Sequence, residues 1–159
     1  MPSVEQNLTT AQDYFAELYV AGLMANAGWN VYFPYRDRGV DFIISKTGSD
    51  RNEIIRPVQV KGKYPSIEKG DKTTYGYVGR LNQVHPDMVL AIPFFAANQP
   101  GTALFVAYMP SSRIRSHSRG YRCQPAAFKN GNPVPRRDYR KFFDHAGLEL
   151  IERSDWNSC

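Results

Sequence analysis

An α/β or α+β domain, with a mixed β-sheet flanked by helices, is the fold class this sequence predicts. Three features point there. One long amphipathic segment opens the chain, five short apolar runs at strand spacing follow, and a second helix-like segment lies near the end. At 159 residues the chain suits a single domain with one core, and 42% hydrophobic and 22% charged residues are ordinary for a globular protein. Aromatics at 13% make a packed core achievable without metals or disulfides. The only cysteines, Cys123 and Cys159, form neither a metal-ligand spacing nor a disulfide framework, which predicts reduced thiols in a cytosolic setting.

Each element has its own justification. Thr10 caps the first helix, with Asp13 three residues on. Phe15, Leu18, Tyr19, Gly22, Leu23, Ala25 and Ala27 give it an apolar stripe, and Gly28 ends it. Asn30 to Tyr35 is the first strand, Asp37-Arg38-Gly39 a tight turn and Val40 to Ser45 the second strand, so the two form a hairpin. Ile54 to Lys61 is the third strand, interrupted by Pro57, which marks a bulge, an edge or a late start. Gly62 to Gly79 is polar and reads as a mobile loop or irregular hairpin. Met88 to Phe95 and Ala103 to Tyr108 are two further strands. Ser112 caps a short helix through Ile114, and a last helix runs from about Pro135 to Ala146 with Gly147 at its end. Leu148 to Ile151 adds a short final segment, and a linker is possible near Pro125 to Pro135. A single domain over 1–159, with a basic extension at about 111–159, is the expected organisation.

Charge is unevenly placed. The net charge is +5, but residues 1–110 hold ten Lys/Arg against ten Asp/Glu, so the excess lies beyond position 110. From Arg113 to Lys141 there are nine basic residues and one acid, Asp138. Such a run supplies cations for phosphate contacts and salt-dependent binding, or else a merely solvated face. Arg113, Arg115, Arg119, Arg122, Arg136, Arg137, Arg140 and Lys141 are the candidate DNA-contacting residues. On a helix, 136 and 140 share one face and 137 and 141 another. No apolar run approaches the roughly 20 residues a membrane span needs, and the first ten residues carry no secretory pattern.

The chemistry concentrates between residues 17 and 61. In Val58-Gln59-Val60-Lys61, strand alternation sends Gln59 and Lys61 to one face and the valines to the other. A polar pair at i and i+2 in an apolar strand needs partners, because an unpaired buried ammonium is costly. Asp41 is the one acid in Gly39-Val40-Asp41-Phe42-Ile43-Ile44. If the two strands are neighbours, Asp41, Gln59 and Lys61 converge. Asp41 and Gln59 both offer oxygen to a divalent cation, and the Val60 carbonyl can add a third. Lys61 would then serve the attacking water, and Glu17 on the opening helix would complete the shell, directly or through water. Neutral Gln59 predicts weak Mg²⁺ binding and dependence on a DNA phosphate as co-ligand.

Glu17 on a first helix, Gly39-Val40-Asp41 on a strand and Gln59-Val60-Lys61 on the next resemble PD-(D/E)XK nucleases. The Gln-x-Lys spelling is similar to a subset that includes small intron-encoded homing endonucleases of this fold. "AGWNVYFPYRDRGVDFII" followed by "VQVKGK" also resembles archaeal Holliday-junction resolvases and restriction-type enzymes. The resemblance covers about residues 11–64, and 87–109 loosely. It implies a restriction-endonuclease-like fold, with Asp41 and Gln59 as metal ligands, Lys61 as catalytic lysine and Glu17 as the helix-borne acid. The departures from the family pattern are Gln59 itself and Pro57 in the motif strand.

The expected function is therefore a Mg²⁺- or Mn²⁺-dependent endodeoxyribonuclease acting on duplex or branched DNA. It would work as a homodimer or tetramer, in the cytoplasm and associated with the nucleoid. The rivals are a nucleic-acid-binding module on a nuclease fold that has lost catalysis, and a mobile-element accessory protein. Simpler roles stay open: Glu17 as an exposed helix residue, Asp41 paired with Arg36 or Arg38, and Lys61 reaching to solvent from a sheet edge.

Overall fold

A computed structural model describes residues 4–36, 38–64, 77–81, 84–96, 99–129 and 132–159. Helix α1 (Val4–Asn26) begins well before the expected Thr10 cap, and Gly28, at φ +95°, supplies the left-handed turn that stops it. A five-stranded mixed sheet follows, in the order β1 (Asn30–Tyr32), β2 (Phe42–Thr47), β3 (Glu53–Val60), β5 (Val89–Ala96) and β6 (Gln99–Pro110). The pairs β1–β2, β2–β3 and β5–β6 are antiparallel, and β3–β5 is parallel. This is an α+β fold, the class the element order implies.

Pro57 lies inside β3 opposite Ile43, upstream of the β5 pairing that begins at Val58. The proline therefore removes no donor from the β3–β5 ladder, and the register of the motif strand survives it. Past Val60 the chain stays beside β5: Lys61 N–H donates to Ala91 O at 2.9 Å and Lys63 N–H to Pro93 O at 2.9 Å. The expected loop from Gly62 to Gly79 is thus sheet-like at Gly62–Tyr64, and its end is strand β4 (Tyr77–Gly79). Its middle lies outside the described residues.

Helix α1 packs on β1, β3 and β5, with the Phe15 and Tyr19 rings against Phe95 at 5.9 and 5.6 Å. One hydrophobic cluster unites Val20 and Met24 of α1, Phe42, Ile44, Val58, Leu90 and Ile92 of the sheet, and Phe142 and Trp156 from the chain's end. Buried Trp156 donates its indole N–H to Met88 O at 2.9 Å, so its polar atom is satisfied.

The last third departs from expectation. Pro125 to Pro135 is no linker: β9 (Ala126–Lys129) pairs antiparallel with β10 (Asn132–Pro135), and Phe128 packs on Phe94 at 6.1 Å. The strands β7 (Arg115–His117) and β8 (Gly120–Arg122) join β4 in a small sheet of order β4-β8-β7. The short helix expected at Ser112 is one 3₁₀ turn, Ser111–Arg113, without a side-chain cap. The predicted helix to Ala146 divides into a 3₁₀ segment, Arg137–Phe142, and helix α2 (Asp144–Ile151). Gly147 sits within α2 rather than ending it. A Cβ there would lie 2.2 Å from Phe142 O, so close backbone approach, not helix termination, requires the glycine.

Candidate active site

Asp41 stands one residue ahead of β2. Its N–H donates to Val58 O at 2.9 Å, and its carboxylate Oδ2 accepts the Val60 N–H at 2.6 Å. The acid thus takes over a backbone donor of β3 where β2 begins, which locks it against the motif strand. Gly39, buried and at φ +93°, makes the left-handed turn that brings Asp41 there. The neighbouring Asp37 lies outside the described residues.

Gln59 follows on β3, only 7% exposed, between buried Val58 and Val60. Its Oε1 is fully buried and accepts no hydrogen bond. An amide oxygen left unmatched this way costs about 1–3 kcal/mol unless something outside the chain supplies a donor or a cation. Lys61 is half-buried just past the strand end, its backbone held by Ala91.

These residues meet. A cavity of about 260 Å³ is lined by Asp13, Glu17, Gly39, Asp41, Gln59, Val60, Lys61 and Arg80. Four positions singled out in the sequence, Glu17, Asp41, Gln59 and Lys61, therefore share one space, and Val60 borders it. Besides Gly39, two lining residues, Asp13 and Arg80, were not assigned to the metal site. Asp13 lies one helical turn before Glu17, and that i, i+4 spacing was its available signal. Arg80 follows β4; the sequence offers it as a polar-loop residue that could contact DNA or pack, and its place at the cavity comes from the tertiary fold.

The donors are hard oxygens, suited to Mg²⁺ or Mn²⁺ rather than to zinc or a soft metal. Among the described residues, no three His, Cys, Asp or Glu side chains cluster as a ready metal cage. A cation here would depend on Asp41, the Gln59 amide oxygen and the Val60 carbonyl, with water and substrate oxygens filling the rest. That is a normal arrangement for Mg²⁺, which keeps much of its water.

Lys63 lies two residues beyond Lys61 on the same path. Burial, reinforced by the Lys61 charge, pushes its ammonium down to about 8. Cys123 is driven the other way, to about 12, by burial, against the pull of Lys63 and Arg113, and its thiol is correspondingly inert. Tyr64, whose ring stacks on Phe95 at 4.6 Å, is raised to about 12 by burial and then by Asp13.

The C-terminal cations do not line this cavity. Arg113 is engaged inside the fold. Its Nε donates to Cys159 O at 3.2 Å, and its guanidinium lies over the Tyr139 and Phe142 rings at 5.6 and 5.5 Å. Arg115 and Arg122 face each other across β7–β8, both exposed, with Arg119 in the connecting turn. Arg136, Arg137, Arg140 and Lys141 are exposed. The 3₁₀ geometry realigns them: Arg137 and Arg140 are eclipsed, not 136 with 140 and 137 with 141. Lys141 lies over the Phe142 ring at 5.0 Å.

Two larger clefts carry no comparable chemistry. One, about 560 Å³, separates the end of α1 from α2, and its cation Lys46 is already paired with Glu152 and bonded to Ala27 O at 3.2 Å. The other, about 1040 Å³, is open and polar, and its Arg153 is paired with Asp155. No helix among the described residues is long and apolar enough to cross a membrane. The chain matches no protein-family model, no curated protein and no solved structure.

Proposed function

We propose that this chain is a metal-dependent DNA endonuclease of the PD-(D/E)XK type. The observation that carries this reading is Gln59, whose buried Oε1 has no hydrogen-bond partner, among the residues that line one cavity with Asp41, Glu17, Lys61 and Arg80. Asp41, Gln59 Oε1 and the Val60 carbonyl would hold Mg²⁺ or Mn²⁺, with Glu17 reaching it directly or through water. The cation supplies Lewis acidity at the phosphoryl group and a more acidic water. Lys61 orients the attacking water and counters charge that develops on the scissile phosphate. Arg80 binds a phosphate oxygen from the cavity rim, a task its planar fork suits. Exposed Arg115, Arg119, Arg122, Arg136, Arg137, Arg140 and Lys141 then serve as backbone contacts that set affinity rather than sequence. Cutting both strands calls for two copies, so the active form is a homodimer or tetramer.

A second reading has an observation of its own. With Gln in place of an acid, and no three-carboxylate cluster among the described residues, the cavity also suits a nuclease fold that binds DNA without cutting it. Incubation of supercoiled plasmid and of a four-way junction with wild type and Lys61→Ala, with Mg²⁺, Mn²⁺ or EDTA, separates the two. The endonuclease reading expects metal-dependent cutting that falls by at least about 100-fold in the variant. Salt-sensitive binding with no cutting under any condition selects the binding module.

A further inference from the structure

The cleft of about 560 Å³ between the end of α1 and α2 offers groups that suit binding rather than catalysis. Three carboxylates line it, Asp144, Glu149 and Glu152, against one lysine, Lys46, so it is an acidic hollow in a chain of net charge +5. The Lys46 ammonium is held by Glu152, by Ala27 O at 3.2 Å and by the Trp29 ring, whose centroid is 5.5 Å away. The fold thus seats one ammonium here through an ion pair, a carbonyl and an aromatic face. Acceptors remain. Asp144 Oδ1 takes the Val106 N–H at 2.9 Å, and its Oδ2 has no hydrogen-bond or ion-pair partner among the described residues. Glu149 has His145 Nε2 at 3.0 Å, on the exposed rim.

Tyr108 sets this cluster apart from an ordinary solvated acidic face. Its side chain lines the cleft although the residue is 1% exposed, and no other described residue hydrogen-bonds its hydroxyl. Among the described residues, Gln59 Oε1 is the unmatched side-chain atom that is sealed from solvent. The Tyr108 hydroxyl, equally unmatched but not sealed, therefore opens on the cleft. Burial, and then the Asp144 charge, raise its pKa far above the ordinary phenol value, so it stays neutral. A phenol oxygen without a partner, beside a carboxylate with one free oxygen, can accept N–H donors from outside the chain. Leu23, Ala27 and Leu148 add apolar wall, and the volume lies within the roughly 300–1,000 Å³ typical of small-ligand sites.

We infer that this cleft binds a small organic cation: an alkyl ammonium donates to Asp144 Oδ2 and to the Tyr108 oxygen, and its stem lies along Leu23 and Leu148. A second amine at the far end of the stem pairs with Glu149, so an alkyl diamine binds more tightly than a monoamine. The cleft shares no residue with the cavity of Asp41 and Gln59, and the inference does not rest on the nuclease reading.

The test is calorimetric titration of the full chain with diaminobutane, butylamine, butyrate and a tetralysine peptide. Wild type is compared with Tyr108→Phe, Asp144→Asn and Glu149→Gln. The Tyr108 hydroxyl has no partner to lose, so Tyr108→Phe should keep the wild-type Tm, and Asp144→Asn keeps an oxygen for the Val106 N–H. The expected results are diaminobutane bound about tenfold more tightly than butylamine, and no binding of butyrate. Tyr108→Phe should weaken both amines by about fivefold to tenfold, and Asp144→Asn by more than about tenfold. Glu149→Gln should weaken diaminobutane and leave butylamine unchanged. Absence of diaminobutane binding by wild type at about 10 mM overturns the inference. Wild-type amine affinity in both Tyr108→Phe and Asp144→Asn places the binding elsewhere and overturns it too. Butyrate bound as tightly as butylamine removes the cation specificity, and tetralysine bound far more tightly than diaminobutane replaces the small ligand with a protein partner; either result overturns the inference.

Discussion

Arg56 and Gln59 are buried polar side chains three residues apart on β3, and the protein treats them in opposite ways. The Arg56 guanidinium reaches past the end of α2, where Nε donates to Ile151 O at 3.2 Å and Nη2 to Arg153 O at 2.9 Å. It satisfies carbonyls that the helix terminus would otherwise leave bare, and places positive charge at the negative end of the helix dipole. Gln59 is buried as deeply, yet its Oε1 accepts nothing. One polar group completes the scaffold, whereas the other is left unmatched by it. The contrast teaches that burial alone does not mark a candidate site; a buried polar atom that the fold leaves unmatched is what calls for an explanation.

Substitutions on this strand can break or sharpen the contrast. The largest effect is expected at Arg56. Arg56→Met strands the carbonyls of Ile151 and Arg153 and should cost about 3 kcal/mol in urea unfolding, or roughly 6–12 °C in Tm. Mn²⁺ affinity should be retained, and loss of stability and metal affinity together would break the division between scaffold and site.

Lys63 comes next. The fold holds it near 8 against 10.5 in the free chain, through burial and then the Lys61 charge. Between these values the folded state binds fewer protons than the unfolded one, so stability rises with pH across that window and the penalty is fully present below it. Replacing the ammonium in Lys63→Met should stabilise the protein at pH 7 by on the order of 2 kcal/mol and remove that pH-dependent gain. Parallel stability–pH curves for wild type and variant between pH 8 and 10.5 would contradict the assignment.

The smallest effect, and the most informative, belongs to Gln59. Gln59→Leu removes an unmatched acceptor and should leave stability unchanged or about 1 kcal/mol higher in the absence of metal. Gln59→Glu should bind Mn²⁺ more tightly than wild type, because a charged oxygen replaces a neutral one. Equal Mn²⁺ affinity for the two proteins would argue against position 59 as a ligand.

The same strand shows why some of the molecule could be read in advance. Alternation along Val58-Gln59-Val60-Lys61 is a local property, and antiparallel β2–β3 pairing, with Phe42 opposite Val58, then brings Asp41 beside Gln59. Geometry that depends on distant parts of the chain has no such local signature. Arg80 reaches the cavity from just past β4, through the tertiary fold. In the last third, the cationic stretch 115–122, which carries no helix or strand signal of its own, forms β7 and β8, and the helix expected from about Pro135 begins as the 3₁₀ segment Arg137–Phe142. Gly147 was read as a helix stop when it answers a contact with Phe142 O. Arg113 looked like part of a phosphate-binding run, but the rings of Tyr139 and Phe142 and the chain's last carbonyl hold it.

The central claim, that Gln59 Oε1 awaits a cation, is tested most directly by thermal unfolding of wild type and Gln59→Leu with EDTA and with increasing Mn²⁺. The account predicts that wild-type Tm climbs with Mn²⁺, by an amount equivalent to about 2.7 kcal/mol at 100 times Kd. It predicts that Gln59→Leu starts at or above the wild-type Tm and does not respond. A wild-type Tm indifferent to Mn²⁺, together with a Gln59→Leu protein destabilised in EDTA, would contradict it and return Gln59 to the scaffold beside Arg56.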